Sequence, residues 1–556
     1  MRPFRHPLSN TPRWVWVWTA LFMLAGALPY AVGWLAAPEG AVFTGVGINP
    51  LDTNTYLADM QVGYAGRWLF TLPYTATPSR PVPLFMFYIL LGHFARLISL
   101  SLPLTFHLAR LACGGLFAVT AYHFLARCFD RPGEQKLALG LLLFTGGTGW
   151  LIAFGPELSE TVRVELTPDL WLSDAVSFLA MLSNGHFTLS MTLMMGMIVA
   201  GERLLAGHGK RWAALAIAAG LGIVLVHAHQ IAVVGLILGG EALWRAWPQR
   251  RFPWAEACRL AVVFVPVGLA AGALTWLAHS DPFLGSWLEQ GNTQTPPVWG
   301  MLNLYGPVWF LALAGLWHAV QTDSTAWRGV ALWFVIVLVL VYVPVNFQRR
   351  FMEGWHVPVT VLAAAGLSRV IAPSLRTRLT ARSGALIGVT LLVLVAASPA
   401  RTAISLTMRF VQRPGDPFFY AHADERGAER WLRAHARLDD VALAYFYTGN
   451  WLPGRAGVRV LVGHYDQTAN ARDRLADVVR FFDAGTPDAE RIALLAEFSV
   501  DFVYVGADER ALGSFDPASA AYLALVYASP SVQLYRVVPV RPVMASVPSP
   551  PWLTPG

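Results

Sequence analysis

Charged residues are scarce in this chain. They make up 13% of its 556 residues, whereas hydrophobic residues make up 55%. Soluble globular proteins are about one quarter charged, so the composition excludes an ordinary soluble protein. Cysteine is also scarce, because the chain has only Cys113, Cys128 and Cys258. Their spacing matches neither a disulfide framework nor a metal-binding motif, and we expect all three to be buried as small apolar residues.

The formal net charge of +7 is unevenly distributed along the chain. From Arg401 onward, 16 basic and 17 acidic residues nearly cancel. The other 25 basic residues precede Arg401, and most of them fall in short segments between apolar runs. This distribution is typical of membrane topology and argues against a nucleic-acid-binding protein.

Long apolar runs predict a polytopic α-helical membrane protein with about eleven spans. They cover approximately residues 14–37, 104–126, 137–155, 187–206, 212–228, 230–247, 260–278, 301–320, 327–345, 355–372 and 384–400. A further apolar stretch, 83–100, is predicted to be an interfacial helix on the outer surface. With that topology, 18 basic residues lie on the cytoplasmic side of the membrane and six on the outer side, as the positive-inside rule requires.

The apolar run from 212 to 247 is too long for one span and is divided at "HAHQ" (227–230). A single tilted helix is the alternative. The division places His227 and His229 near the outer face.

At the N-terminus, basic residues precede the first apolar run without a clear cleavage site, which predicts a retained signal anchor and a cytoplasmic N-terminus.

The chain is predicted to have three regions. Residues 1–400 form the transmembrane domain, with a long first outer loop at 38–103. Residues 401–540 contain the strand-like runs "VALAYFY", "VRVLVG", "DFVYVGA" and "VQLYRVV" and helical patterns at 470–484 and 487–497. They predict a small α/β extracytoplasmic domain. Residues 541–556 are rich in proline and predict a flexible tail.

The first outer loop carries an isolated carboxylate, Asp52, in the aromatic stretch "GINPLDTNTYLADMQVGYAGRWLFTLPYT" (47–75). An aspartate in this position could simply cap a helix. The next acid, Asp59, is a second active-site acid, a surface residue or a residue that structures the loop. Tyr56 and Trp68 in this loop are candidates for substrate binding or for an interfacial aromatic belt. Arg67 and Arg80 are weaker candidates for substrate binding.

The order of several motifs resembles the GT-C superfamily of membrane glycosyltransferases, in particular a bacterial group of GT-C-like proteins. These motifs are "DTNTYLADMQVGYAGRWLFTLPYT", "LLGHFARL", "FHLARL", "NGHF", "QRRFMEGWHVPVTVLAAAGL" and "TGNWLPGRAGVRVLVGHYDQT". Together they touch most of the chain. The resemblance implies a multi-pass protein of the bacterial cytoplasmic membrane. It would transfer a sugar with inversion from a polyprenyl-phosphate donor to a glycan, lipid or protein acceptor on the outer face.

The resemblance also implies that Asp52 is the catalytic base, which takes a proton from the acceptor hydroxyl. Many members carry adjacent acids at this place, whereas Thr53 follows Asp52 here. Another branch of the superfamily holds a divalent metal with carboxylates of two outer loops, and Asp52 with Asp169 could imitate that arrangement. We expect no cofactor, with a divalent metal as the alternative.

Basic residues on the outer side are few and therefore informative. Arg349 and Arg350 in "NFQRRFMEGWHVP" are predicted to bind the donor phosphate, with His356 as a further hydrogen-bond donor. Because adjacent arginines cannot share one helix face, one of them would bind the phosphate while the other meets a carboxylate such as Glu353. Interfacial snorkelling of the arginines is the alternative. His186, His227 and His229 are candidates for substrate binding, and they are alternatively zinc ligands or hydrogen-bonded residues of the helix bundle.

Two other classes of function fit the sequence less well. A lipid or glycan transporter would carry charges inside its spans, and these spans are nearly free of charge. A non-catalytic envelope-assembly protein would use the C-terminal domain for docking. Convergence of Asp52, Arg349 and Arg350 on one outer-face cavity would favour the enzyme.

Overall fold

The computed structural model describes residues 11–155, 157–290, 292–376 and 380–538. The chain divides into two compact units. One contains the chain up to Thr71 together with Ser79–His422, and the other contains Leu72–Pro78 together with the chain from Ala423 onward. The proline-rich tail predicted at 541–556 lies outside the described residues.

The first unit is built mainly of helices. In chain order they are α1 (Arg13–Leu35), α2 (Pro50–Tyr64), α3 (Met86–Leu97), α4 (Leu102–Leu125), α5 (Pro132–Phe144), α6 (Glu160–Leu166), α7 (Ser177–Ser183), α8 (Gly185–Leu205), α9 (Lys210–His227), α10 (Gln230–Ala246), α11 (Trp254–His279), α12 (Pro282–Gln290), α13 (Val298–Tyr305), α14 (Pro307–Gln321), α15 (Thr325–Leu340), α16 (His356–Ala365), α17 (Ala372–Arg376) and α18 (Ala381–Gln412). The strand β1 (Val42–Phe43) pairs antiparallel with β2 (Tyr420–Ala421).

Among the described residues, seven helices are long and apolar enough to cross a membrane. They lie at Arg13–Leu35, Leu102–Leu125, Gly185–Leu205, Lys210–His227, Trp254–His279, His356–Leu375 and Arg382–Gln412. The pair α13 and α14, bent by 84°, supplies an eighth if it counts as one span. Three other predicted spans correspond to α5, α10 and α15, which are shorter than the roughly 20 residues that a perpendicular span needs. The predicted polytopic α-helical membrane protein is confirmed.

The span predicted at 137–155 is wrong in its second half. Helix α5 ends at Phe144, and a short 3₁₀ helix follows at Gly149–Phe154. The glycines between them explain the break. A Cβ on Gly147 would lie 1.8 Å from the carbonyl oxygen of Asn303, so the chain here packs backbone against backbone. The neighbouring Thr148 N–H donates to the same carbonyl at 3.0 Å.

The predicted first outer loop folds into two packed helices, α2 and α3. Their backbones approach closely at two glycines. A Cβ on Gly63 would lie 2.0 Å from the carbonyl oxygen of Ile89, and a Cβ on Gly92 would lie 1.9 Å from that of Met60. Side chains at these positions would push the helices apart, so the crossing requires glycine. Helix α3 falls within the stretch predicted as an interfacial helix, 83–100.

A buried arginine joins the first spans. Arg110 on α4 is 1% exposed, and its guanidinium donates to the carbonyl of Met181 at 2.6 Å and to that of Gly26 at 3.0 Å. It also lies over the ring of Tyr30 at 4.5 Å. A buried cation is tolerated only where its donors are satisfied. These contacts therefore hold α1, α4 and α7 together beside the start of α2.

The cysteines only partly behave as predicted. Cys128 is buried, whereas Cys113 is half-buried and Cys258 is exposed. Cys258 lies on α11, whose apolar residues Val262 and Val265 are more than half exposed. An apolar helix surface of this kind is what lipid covers in a membrane protein, so the prediction of a buried Cys258 is wrong.

The second unit contains a five-stranded mixed sheet in the order β4-β3-β5-β7-β6. Its strands are β3 (Val441–Leu443), β4 (Arg459–Val460), β5 (Val500–Val505), β6 (Leu523–Ala528) and β7 (Gln533–Val537). Its helices are α19 (Ala423–His435), α20 (Phe446–Ala456), α21 (Ala471–Phe482), α22 (Asp488–Glu497) and α23 (Ala507–Leu512). The predicted α/β character and the helices near 470–484 and 487–497 match this architecture.

Two details of the sheet differ from the prediction. The run "VALAYFY" is a strand only as far as Leu443, and its aromatic end begins α20. Strand β6 was not predicted, because "YLALVYA" lacks the clean alternation that marks a half-buried strand. The segment Leu72–Pro78 also belongs to this unit, since Val460 N–H donates to the carbonyl of Pro73 at 3.0 Å and Tyr74 donates to that of Asn450 at 2.9 Å.

Candidate active site

A cavity of about 540 Å³ lies within the first unit. Four segments line it: the start of α2, the loop before α7 with the start of α8, the loop after α15, and the last turns of α18. Its residues are Ile48, Asn49, Asp52, Tyr56, Leu170, Trp171, Leu172, Ser173, Asp174, Ser183, Asn184, Phe187, Arg349, Arg401, Thr402, Ser405, Leu406 and Arg409. The volume lies within the range of small-molecule sites, about 300–1,000 Å³.

Asp52 lies in the first turn of α2 and faces this cavity. It does not cap the helix, because Asn49 occupies the N-cap position with a left-handed backbone and Pro50 follows it. Asn49 instead donates its side-chain amide to Asp52. A carboxylate in the first turn is favoured by the helix dipole. Asp52 is half-buried, so it remains open to a ligand in the cavity.

Arg349 faces the same cavity and is held in place by two neighbours. Its guanidinium lies 3.5 Å from the carboxylate of Asp174 and 5.3 Å from the centre of the Trp171 ring. Arg350 diverges from it, since its side chain is exposed and does not line the cavity. The two arginines lie in a short 3₁₀ helix, Gln348–Met352, where consecutive side chains point about 120° apart. Only Arg349 therefore faces the cavity, as expected for adjacent arginines that cannot share one helix face.

Two further arginines at the cavity were missed by the sequence analysis. Arg401 and Arg409 lie on α18, with Ser405 midway between them. Residues four apart share one face of a helix. Both arginine side chains are exposed and form no ion pair with a described residue. The spacing R-x₃-S-x₃-R was a usable signal, but the last span was predicted to end at residue 400, whereas α18 continues to Gln412.

Asp169 does not reach the cavity. It is fully buried, and it accepts hydrogen bonds from Ser398 at 2.5 Å and from the N–H of Gly149 at 3.0 Å. Burial raises the pKa of Asp169 to about 6, although these hydrogen bonds oppose the shift. Because Ser398 lies one turn before Arg401 on α18, Asp169 positions that helix. It is not placed to share a metal ion with Asp52.

Asp59 lies on the same helix as Asp52 but is fully buried instead of facing the cavity. It is 0% exposed, and neither of its carboxylate oxygens has a hydrogen-bond partner among the described residues. Burial raises the pKa of Asp59 well above its usual range. The prediction of a surface residue is therefore wrong, and Asp59 does not line the cavity.

The predicted histidines lie deeper in the bundle than a phosphate-binding role would require. His356 is 1% exposed, stacks on Tyr305 with ring centres 5.3 Å apart, and lies 3.1 Å from the hydroxyl of Ser177. His186 is hydrogen-bonded to the hydroxyl of Tyr88 at 2.5 Å. These two histidines have partners in the protein core and are outside the cavity lining.

Ring contacts connect the cavity to the remaining histidines. Tyr56 lines the cavity, and its ring centre lies 5.0 Å from that of His186. His186 in turn lies 4.8 Å from His227, which lies 5.2 Å from His229. His227 also contacts the carboxylate of Glu353. The three histidines are thus brought together, but behind the cavity wall.

The candidates farther along the first loop are not brought to the site. Trp68 is 57% exposed and stacks on His93 at 4.0 Å. The carbonyl of Arg67 accepts a hydrogen bond from the same histidine at 3.1 Å. Arg80 bonds through its backbone N–H to Asp281 at 2.6 Å and through its guanidinium to Ser280 at 3.2 Å. None of these three predicted binding residues lines the cavity.

The fold is similar to those of several solved transferases. The oligosaccharyltransferase of Archaeoglobus fulgidus matches with a TM-score of 0.54 and 12% identity, over 94% of this chain and 74% of that chain. ArnT from Cupriavidus metallidurans bound to undecaprenyl phosphate matches with a TM-score of 0.51 and 13% identity, over 94% of this chain and 98% of that chain. This chain has the GT-C fold.

A third solved structure is also similar to this chain. The arabinofuranosyltransferase AftD from Mycobacteria matches with a TM-score of 0.54 and 16% identity, over 95% of this chain and 41% of that chain. No family model and no curated protein matches the sequence. At these identities the comparisons establish the fold, and the GT-C resemblance of the sequence is confirmed at that level.

Proposed function

We propose that this protein transfers a sugar with inversion from a polyprenyl-phosphate-linked donor to an acceptor hydroxyl, and that Asp52 is the base. One observation carries the proposal: Asp52 shares a single cavity with Arg349, Arg401 and Arg409. A carboxylate facing a group of cations suits a reaction that removes a proton at one end and releases a phosphate at the other.

The chemistry assigns a role to each group. The acceptor oxygen attacks the anomeric carbon while Asp52 takes its proton. The bond from that carbon to the phosphate oxygen breaks, and its electron pair leaves on the lipid phosphate. Phosphate is a stable leaving group, so it needs charge stabilisation more than protonation. Guanidinium groups present planar donors and stay charged, which suits them to that task.

The charges of the cavity fit an anionic ligand. Three arginines and two aspartates line it, which leaves one excess positive charge. Arg349 is already paired with Asp174, so Arg401 and Arg409 are the cations most available to a phosphate. Their helix also carries exposed apolar residues at Ile404 and Met408. An isoprenoid chain could lie along such a surface while its phosphate reaches the cavity.

The proposal includes the orientation and the location predicted from the sequence. The protein would lie in the bacterial cytoplasmic membrane with its N-terminus in the cytoplasm. The cavity and the second unit would face the outer side. Arginines stabilise the phosphate without a metal, whereas a divalent ion in this cavity would have Asp52 and Asp174 as its carboxylate ligands.

Lipid-phosphate binding tests the proposal directly. Native mass spectrometry should detect undecaprenyl phosphate on the purified protein. The double variant Arg401→Ala/Arg409→Ala should bind it about 1,000-fold more weakly, because each lost charged partner typically costs about 2 kcal/mol or more. Arg350→Ala, a matched arginine outside the cavity, should bind like the wild type. Equal binding by all three proteins would contradict the assignment of the phosphate site.

A further inference from the structure

A second group of polar side chains lies behind the cavity wall. His227 ends α9, His229 lies in the break before α10, and Glu353 lies in the loop between α15 and α16. One ligand atom from each residue falls within 4.8 Å of those of the other two. Two segments that are distant in the chain, the α9–α10 turn with its two histidines and the loop that carries Glu353, thus meet at one point.

Several polar atoms of these three residues are buried without a hydrogen-bond partner among the described residues. Glu353 is 1% exposed, and its Oε1 has no hydrogen-bond partner among the described residues. Nε2 of His229 is likewise buried without a partner. Nδ1 of His227 contacts Oε2 of Glu353, but the contact lacks hydrogen-bond geometry. An ion pair between His227 and Glu353 would leave the other two atoms orphaned, and a buried charge without full pairing is costly.

Neighbouring residues fix the orientation of the group. The ring of His229 is hydrogen-bonded to the backbone carbonyl of Arg350, and Gln230 Nε2 donates to the same carbonyl at 2.7 Å. Metal-bound histidines typically donate their other ring N–H to a carbonyl in this way. Gly354 follows Glu353 with a φ of +79°, and a Cβ there would lie 3.0 Å from Trp333. The glycine permits the turn that directs Glu353 inward.

Aromatic rings border the group, and the charge of Arg350 also acts on His229. The ring of Phe187 lies 5.4 Å from that of His227, and the ring of Phe351 lies 6.4 Å from that of His229. Aromatic walls limit access of bulk water and strengthen the interaction of a cation with its ligands.

We propose that His227, His229 and Glu353 form a binding site for a zinc ion. Two imidazoles and one carboxylate are a known zinc ligand set, which leaves a fourth position for water. Zinc would pair the orphaned oxygen of Glu353 and the orphaned nitrogen of His229. It would also tie the α9–α10 turn to the loop that carries Arg349. The assignment rests on these contacts alone and does not depend on the proposed sugar transfer.

The test is the metal content of the purified full-length protein. After incubation with zinc alone and removal of excess ion, elemental analysis should find about one zinc per chain. His229→Ala and Glu353→Gln should each weaken zinc binding by at least about 100-fold, since each removes a ligand. His435→Ala, an exposed histidine of the second unit, should retain zinc like the wild type.

A measurement on the wild-type protein alone does not depend on whether the variants fold. Cobalt(II) added to the wild-type protein should give the visible absorption of a tetrahedral or five-coordinate ion, and zinc should displace it. Zinc at less than a tenth of an equivalent, iron in its place, or undiminished zinc in both ligand variants would each overturn the proposal. The group would then be a histidine–carboxylate ion pair inside the bundle.

Discussion

The two aspartates of helix α2 differ in their surroundings, although they belong to the same helix. Asp52 lies in the first turn, half-buried, facing a cavity that also contains three arginines. Asp59 lies seven residues later and is fully buried without a hydrogen-bond partner among the described residues. Residues seven apart lie on nearly the same helix face, so the helix alone cannot distinguish them. The difference arises because α3 packs closely against the second half of α2 at Gly63 and Gly92, whereas Asp52 faces the cavity.

The largest expected effect is that of Asp52→Asn. Loss of a general base typically costs about 10²–10⁴-fold in rate. The variant should release polyprenyl phosphate from a labelled donor at least about 100-fold more slowly than the wild type, with unchanged expression and thermal stability. Asp59→Asn is the matched control from the same helix and should keep its rate within about threefold. Equal losses in both variants would show that the comparison is mistaken and that the two acids act together.

The next largest effect concerns the cations that face Asp52. Arg349→Ala, Arg401→Ala and Arg409→Ala should each lower the catalytic efficiency with the donor by about 30-fold or more. Arg349→Lys should recover only part of the loss, because an ammonium cannot reproduce the guanidinium fork. Donor titrations measure the effect, and Arg350→Ala serves as the control. A loss confined to Arg350→Ala would move the phosphate site away from the cavity.

The raised pKa of Asp59 should make the stability of the protein depend on pH. Its pKa is raised in the folded protein, so the folded state holds a proton that the unfolded state releases near pH 4. The wild type should therefore lose stability as pH rises from about 4 toward the raised pKa. Asp59→Asn cannot ionise, so its stability relative to the wild type should increase over that interval. Thermal unfolding in detergent between pH 4 and pH 7 measures the difference, and a constant difference would mean that Asp59 is charged and paired.

The smallest effect is expected at Trp68. Its ring is 57% exposed and stacks on His93 outside the cavity. Trp68→Ala should change donor efficiency by less than about twofold. The same donor assay checks this, and a tenfold loss would show that the acceptor extends along the first loop beyond α2.

Much of the helical framework was predictable because apolar length and charge distribution report directly on membrane insertion. The break at "HAHQ" and the helices flanking it occur as predicted. Asp52 was identified by its place at the start of the loop after the first apolar helix. The burial of Asp59 was not predictable, because it depends on the close crossing of α2 and α3 at Gly63 and Gly92. A single sequence does not show which glycines permit a close contact between two helix backbones.

The remaining differences at the site have similar causes. Arg401 and Arg409 were missed because the last span was predicted to end at residue 400 with its apolar run, whereas α18 continues to Gln412. Adjacent arginines were expected to diverge, but the sequence did not show that Arg349 is the one that faces the cavity. Both features follow from tertiary packing, which periodicity alone does not reveal.

The central claim is that Asp52 acts as a base for sugar transfer beside a cationic phosphate site. Mass spectrometry of envelope glycans tests it most directly, in a deletion strain complemented with wild-type protein, Asp52→Asn or Asp59→Asn at equal expression. The account predicts that one sugar is missing from the deletion strain and that the wild type and Asp59→Asn restore it, whereas Asp52→Asn does not. Full restoration by Asp52→Asn would contradict the account.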